Sequence, residues 1–409
     1  MSAFAHPTRW LPLLAIAACA PSEPTEAPVA WSVEDSAGIA VVENQLSLVP
    51  TGAWGVEGTP LLSIGGMDAP ASDQLYRVSG ATRLPDGRIA VSSAGTFDVR
   101  VYDPQGALLA TFGGEGDGPE EFRDPVLMGR RGSDTLMVFD ATLSRLSWIH
   151  PAEGFLSSVH VSWSGKGFPV GRGLLADGSL LIGGGMSFSS EEGFPTGVIR
   201  PLSTFGWAGR DGVETRLGDF PAAEMFARAS ERGFMARGLP FARVTVVAPG
   251  PEGAWLGAGN AWEVRRFDAG GALTRIVRSD APARPVTPAD RDRYVEDEVA
   301  STSSDNEERE LRALFEEMPF PEAFPPYQYL AVDAEGHIWV QDYLGPKDGA
   351  PSWTVLDPLG RAVARLSTPP RTRLLEIGAD YLLGRSLDEM EVESLTLWRL
   401  RRGGTPPIP

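Results

Sequence analysis

Short apolar runs alternate with acidic–glycine turns along most of the chain. GATRLPDGRIAVSS (80–93), GLLADGSLLIGG (173–184), VVAPGPEGAWLGAG (246–259) and LAVDAEGHIWVQD (330–342) share one phrase: apolar strand, tight turn, apolar strand. MGRRGSDTLMVFD (128–140) and LEIGADYLLGRS (375–386) are looser copies. Asp-Gly and Glu-Gly between such runs predict hairpins, because glycine supplies the positive φ that the turn needs. A second hairpin follows the first, as in VRVYDPQGALLATFG (99–113), LSWIHPAEGFLSSVHV (146–161), VRRFDAGGALTRIV (264–277) and WTVLDPLGRAVARL (353–366). The repeating unit is four short antiparallel strands, A to D, and six units can be counted.

The sixth unit holds only strands A to C and ends at SLTLWRLRR (394–402). Its outer strand is expected from the N-terminal region, either GIAVVEN (38–44) or PLLSIGG (60–66). Completing one sheet with both ends of the chain is how radial repeats protect their edges. The expected fold is all-β, a six-bladed β-propeller of four-stranded antiparallel blades over 31–402, with a C-terminal tail at 403–409. Two separate sandwiches are the competing architecture, but they would not repeat this turn phrase in this order.

In such a blade the A–B and C–D turns share one face and the B–C and D–A loops share the other. The first set is uniformly tight, whereas the second carries the long insertions, at 183–197, about 218–240, 279–326 and 341–352. PAAEMFARASER, within the second of these, reads as a short helix. The largest insertion, between blades four and five, reads as helical: Thr287-Pro288 with Asp290 marks one start, and Ser304 with Glu307 marks another. Leu311, Leu314, Phe315 and Met318 form one apolar stripe there, and Pro319 stops the helix. MPFPEAFPPYQYL (318–330) follows, fit either to fold over the channel mouth or to hold a peptide by extended contacts. One-sided insertion points to a built surface, although a face freer to accept insertions would look the same. The candidate binding residues on it are Asn260, Phe320, Phe324, Tyr327, Asp342 and Tyr343.

Charge narrows the partners. A formal charge of −18 and a pI near 4.7 disfavour nucleic acid, whose phosphates would be repelled. The single cysteine, Cys19, rules out a disulfide framework within one chain. It follows Arg9 and an apolar run from Trp10 to Ala18 that is too short to span a bilayer. Ile16-Ala17-Ala18-Cys19 resembles a bacterial lipobox, which makes 1–18 a signal peptide, Cys19 the lipidated residue and 19–30 a Pro/Glu-rich tether. An ordinary cleavage site at Ala18-Cys19-Ala20 is the rival. The lipid reading places the protein in the cell envelope, as a membrane-tethered monomer, and Ala20 after the cysteine resembles outer-membrane sorting.

Chemistry is sparse. FGGEGDGPEEFRDP (112–125) lacks the Lys-Ser/Thr of a phosphate loop and holds Glu115, Asp117, Glu120 and Glu121. A tight crossing between blades is the expected role of its glycines, with calcium at the carboxylates as the competing one. His150 stands where other C–D turns have aspartate, His337 follows an A–B turn, and His160 has no His partner at ligand spacing. No G-x-S-x-G elbow occurs.

FGGEGDGPEEFRDP and LAVDAEGHIWVQDY resemble the inter-blade and strand A–B segments of NHL-repeat propellers. DSAGIAVVEN and LYRVSGATRLPDGRIAV are similar to openings in bacterial six-bladed propeller lipoproteins related to the NHL and TolB-like groups. The resemblance implies the fold over about 31–402 and leaves activity open, since NHL propellers include protein-binding and RNA-binding modules and an amidating lyase. Lactonase-type propellers hold calcium in the channel with Glu, Asn and Asp, so Asn260 and Asp342 are the first residues to inspect for a metal. The leading expectation is a module binding a protein, peptide or glycan through the inserted face, with no cofactor. The alternative is a metal-dependent hydrolase or lyase centred on the channel, and the reading leans against catalysis.

Overall fold

The computed structural model describes residues 30–70, 73–185, 195–212, 214–230, 233–346 and 349–403. Cys19, the expected signal peptide and all but the last residue of the expected tether lie outside the described residues, as does most of the 183–197 loop. The described chain is mostly β, with several four-stranded antiparallel sheets and two α-helices.

The sheets follow the turn phrases. Sheet one comprises Val78–Arg83, Ile89–Ser93, Asp98–Tyr102 and Leu108–Gly113, and sheet two Pro125–Arg131, Thr135–Asp140, Arg145–His150 and Gly154–His160. Sheet three comprises Gly171–Leu174, Leu180–Gly183, Leu202–Ala208 and Glu214–Pro221. Sheet four has Val246–Gly250, Gly253–Gly257, Glu263–Asp268 and Leu273–Ser279, and sheet five Tyr327–Val332, Ile338–Asp342, Ser352–Leu356 and Ala362–Ser367. Sheet six has Thr372–Ile377, Tyr381–Leu387 and Glu393–Arg401.

Second strands such as Ile89–Ser93 and Gly253–Gly257 are buried on both faces, which is why they read as continuous apolar runs. Outer strands such as Leu108–Gly113 are mostly exposed. The core lies between sheets. One cluster joins Val99 and Val101 of sheet one to Leu136 and Val138 of sheet two. Others join sheets two and three (Met137, Phe139, Leu180), three and four (Phe205, Leu256), four and five (Val264, Ile338) and five and six (Trp353, Leu382). A further cluster joins Leu383 and Leu395 of sheet six to Ile89 and Val91 of sheet one.

The turns are fastened by aspartates. Asp333 Oδ1 accepts the backbone N–H groups of Glu335 and His337, each at 2.9 Å, and Gly336 takes φ 84°. Asp103, Asp268 and Asp357 do the same in C–D turns. In sheet two the substitute is His150, whose Nδ1 accepts from Ala152 N at 3.3 Å and Glu153 N at 3.2 Å.

Leu62–Gly65 supplies the outer strand of sheet six, antiparallel to Ser394–Leu397, and Gly55–Val56 extends the pairing. The other expected donor, 38–44, goes elsewhere. Ile39–Asn44 pairs in parallel with the outer strand of sheet four, and Trp31–Ser36 folds back on it. Asn44 fixes this addition to sheet five, donating to Gly360 O at 3.0 Å and accepting from Ala362 N at 2.7 Å.

The expected helix in PAAEMFARASER is instead a β-hairpin of Met225–Ser230 and Gly233–Gly238, joined by Gly197–Ile199 into a small sheet. Ala, Glu, Met and Arg favour helix locally, but pairing on both edges overrides that preference. The insertion holds helix α1 (Pro288–Val299) and helix α2 (Asp305–Glu317). Thr287 and Asp290 form a reciprocal capping box. Ser304 accepts from Glu307 N, but the Glu307 carboxylate turns to Ser303 N rather than back to Ser304. Phe315 and Met318 of the expected stripe are buried, while Leu311 and Leu314 are half-buried.

Candidate functional site

A cavity of about 1370 Å³ opens among the insertion, sheets four and five and the segment that follows the small sheet. The insertion is pinned by an aromatic cluster. Phe241, Val286 and Phe324 are its buried members, with Tyr294, Phe320 and Tyr343 packed against them. Phe324 stacks on Tyr343 at 5.6 Å between centroids, and Phe241 lies 4.8 Å from Phe324. Tyr294 reaches Phe315, so α1 and α2 are held to each other by the ring next to the cavity. Arg284 lies over the Phe324 ring at 4.3 Å and donates to Tyr343 O at 2.6 Å. Prolines 282, 319, 321, 325 and 326 harden the rim.

Asp342 is the cavity's unusual group. Burial pushes its carboxyl above the ordinary aspartate range, and Arg365, Ser352 and Arg284 only partly oppose that shift. The Arg365 guanidinium is 3.5 Å away. A half-buried carboxylate whose charge the fold disfavours, in a large cavity, marks a candidate site for recognition or proton transfer. Glu224 behaves in the opposite way. Its burial is outweighed by hydrogen bonds from Arg243 Nε at 2.8 Å and Arg243 N at 2.9 Å, which hold it below the usual range.

Asn260, Phe320, Phe324, Asp342 and Tyr343 all line this cavity. Asn260 is exposed on the rim, and its Oδ1 accepts from Arg200 Nη1 at 2.6 Å. Phe324 is 7% exposed, so it offers little surface to a ligand, whereas Phe320, Asp342 and Tyr343 are half-buried. Tyr327 stands behind the wall at 2% exposure. Its hydroxyl donates to Glu263 O at 2.7 Å and accepts from Gly259 N at 3.1 Å, and burial pushes its pKa up to about 12. Arg284, Arg365 and Phe241 were not singled out from sequence. Arg284 and Arg365 line the cavity from separate segments, Phe241 is buried in the aromatic cluster beside it, and none of the three carries a local motif.

The glycine-rich crossing is fastened to sheet two by Arg145, which donates to Gly118 O at 2.8 Å and Asp117 O at 3.2 Å. Phe122 is buried at its end, with N–H to Gly114 O at 2.8 Å. Arg123 pairs with Asp117 at 2.7 Å and Glu115 at 3.3 Å, and Glu121 accepts Gly118 N at 2.8 Å. Among the described residues no group of three or more His, Cys, Asp or Glu is arranged to hold a metal ion.

No protein-family model matches the chain, and no curated protein matches it. Solved structures that it resembles include a protein of Bacteroides fragilis NCTC 9343, with 11% identity and a TM-score of 0.45, covering 89% of this chain and 99% of that one. A calcium-binding protein, regucalcin, from Agrobacterium tumefaciens str. C58 gives 13% identity and 0.41, covering 87% and 97%. Virginiamycin B lyase from Staphylococcus aureus gives 10% and 0.38, covering 80% and 94%. Likeness at this level transfers no function.

Proposed function

We propose that this chain is a six-bladed β-propeller, tethered to the cell envelope through lipid on Cys19, that binds a protein, peptide or glycan segment in the insertion cavity. The closed ring is supported by the cyclic order of the apolar clusters, which run from sheet one through sheet six and back to sheet one. Contacts between the first strands of neighbouring sheets support it too. The binding role rests on one observation: the cavity of about 1370 Å³, lined by prolines, half-buried aromatics and the charge-disfavoured Asp342. Extended chains are recognised by such surfaces, because aromatic and proline walls are already ordered before binding.

Peptide and glycan arrays probed with the full-length protein test this reading. Tyr343→Ala and Asp342→Asn are expected to erase the signals given by the wild type. Arrays that remain blank, or signals that both variants keep, would refute it. Metabolic labelling with palmitate tests the tether, with incorporation expected to vanish in Cys19→Ser.

A further inference from the structure

A groove of about 560 Å³ lies where sheet two meets sheet three, at the tight-turn end of those sheets. Its volume falls within the range of small-molecule sites. Sheet two brings Arg131 from the end of its first strand, Thr135 from the start of its second, Trp148 from its third and Leu156–Val159 from its outer strand. Sheet three brings Arg210 and Asp211 from the turn between Leu202–Ala208 and Glu214–Pro221. Two glycines seat these parts. Gly212 takes φ 75°, and a Cβ there would lie 2.4 Å from His160 O, so the turn that carries Arg210 presses directly on the outer strand of sheet two. A Cβ at Gly178 would lie 3.5 Å from Arg131 Cδ, which sets the Arg131 stem against the first turn of sheet three. The groove is therefore a joint between two neighbouring sheets that share an apolar cluster, and it does not depend on ring closure.

The charge in the groove runs against that of the chain. The sequence has 54 acidic and 36 basic residues, yet the groove is lined by two arginines and one acid, Asp211. Both arginines are exposed, and among the described residues neither guanidinium has a hydrogen-bond or ion-pair partner. Arginines in comparable turns elsewhere are neutralised within the turn: Arg88 meets Asp86 at 2.6 Å in sheet one, and Arg361 meets Asp357 at 2.6 Å in sheet five. Beside the charges lie the hydroxyl residues Thr135, Ser157 and Ser158. Apolar surface comes from Leu156, 45% exposed, with Trp148 packed behind it at 7%.

We infer that this groove binds a sugar bearing a negatively charged substituent. The two guanidinium forks match an oxyanion, whether carboxylate, sulfate or phosphate. The Ser and Thr hydroxyls can exchange hydrogen bonds with sugar hydroxyls, since each both donates and accepts. Leu156 offers an apolar contact to the C–H face of the ring. The site is separate from the insertion cavity, with which it shares no lining residue.

Isothermal titration of the full-length protein with glucuronate, glucose 6-sulfate, glucose 6-phosphate, glucose and inorganic sulfate tests it. Saturable binding of at least one charged sugar is expected, with none for glucose, and the sugar that binds identifies the oxyanion. Arg131→Gln and Arg210→Gln should each weaken it about tenfold or more, because each removes a charge-assisted hydrogen bond. Arg399→Gln, on sheet six, should leave it unchanged. No saturable binding of any charged sugar overturns the site. Binding that survives both Arg131→Gln and Arg210→Gln overturns it too, because the sugar then sits elsewhere, the insertion cavity included. Inorganic sulfate that binds as tightly as glucose 6-sulfate overturns the sugar as the ligand.

Discussion

The two ends of the first hairpin in sheet five carry one aspartate each, and the fold treats them in opposite ways. At the tight-turn end, Asp333 has a fully buried side chain. Burial alone would raise its pKa, but His337, the Trp339 indole at 3.0 Å and Arg402 at 2.8 Å outweigh it and hold the carboxyl low. Trp54 closes the cluster, with Arg402 over its ring at 4.6 Å. At the other end of the same strand pair, burial wins at Asp342 and its ionised form is disfavoured. One end is built to hold the molecule together. The other keeps a carboxyl in a setting that does not favour its charge, and that is the end facing the cavity.

Breaking the stable end should have the largest effect. Asp333→Ala strips partners from Arg402, the Trp339 indole and two turn N–H groups, and should cost roughly 3–5 kcal/mol in denaturant unfolding, as expected when one partner of a buried pair is removed. Asp333 also sets an acid limit. Its folded pKa lies below the ordinary 3.8, so its contribution is fully present above that value and fades as pH falls through the depressed one. The wild-type advantage over Asp333→Asn should shrink in melts taken across that window.

Tyr327→Phe probes the boundary, since Tyr327 pairs with Asp342 across the hairpin. It leaves Gly259 N–H and Glu263 C=O without their partner and should cost about 1–3 kcal/mol. Thr287→Ala and Ser304→Ala each remove a helix cap in the insertion, worth about 1 kcal/mol. Hydrogen exchange should show the loss confined to 287–317, leaving the sheets untouched.

The smallest effect should carry the opposite sign. Asp342 has a folded pKa above its unfolded one, so its protonated form stabilises at acid pH and that contribution is lost as pH rises through the raised value. Asp342→Asn should therefore melt slightly higher than wild type at neutral pH, with the gain vanishing in acid. A lower neutral melting point would erase the contrast between the two ends.

The stable end was legible in the sequence and the cavity end only in part, for a physical reason. Asp333, Glu335 and Gly336 act within one turn, so their spacing announces them. His150 could be placed in its turn by position alone, and the helix starts at Thr287 and Ser304 are equally local. Asp342 could be nominated from its place at a strand end, but its surroundings come from Arg284 and Arg365, on other segments. The hairpin at 225–238 was hidden by helix-favouring residues.

The pairing of Leu62–Gly65 with Ser394–Leu397 also governs how the protein is made. Leu62–Gly65 must wait for the much later Ser394–Leu397 to be synthesised before its hydrogen bonds can form. Such a long loop closure slows folding and leaves an open edge on the nascent chain. Removing Ser394–Leu397 should therefore release Leu62–Gly65 and leave the outer edge of sheet six unpaired.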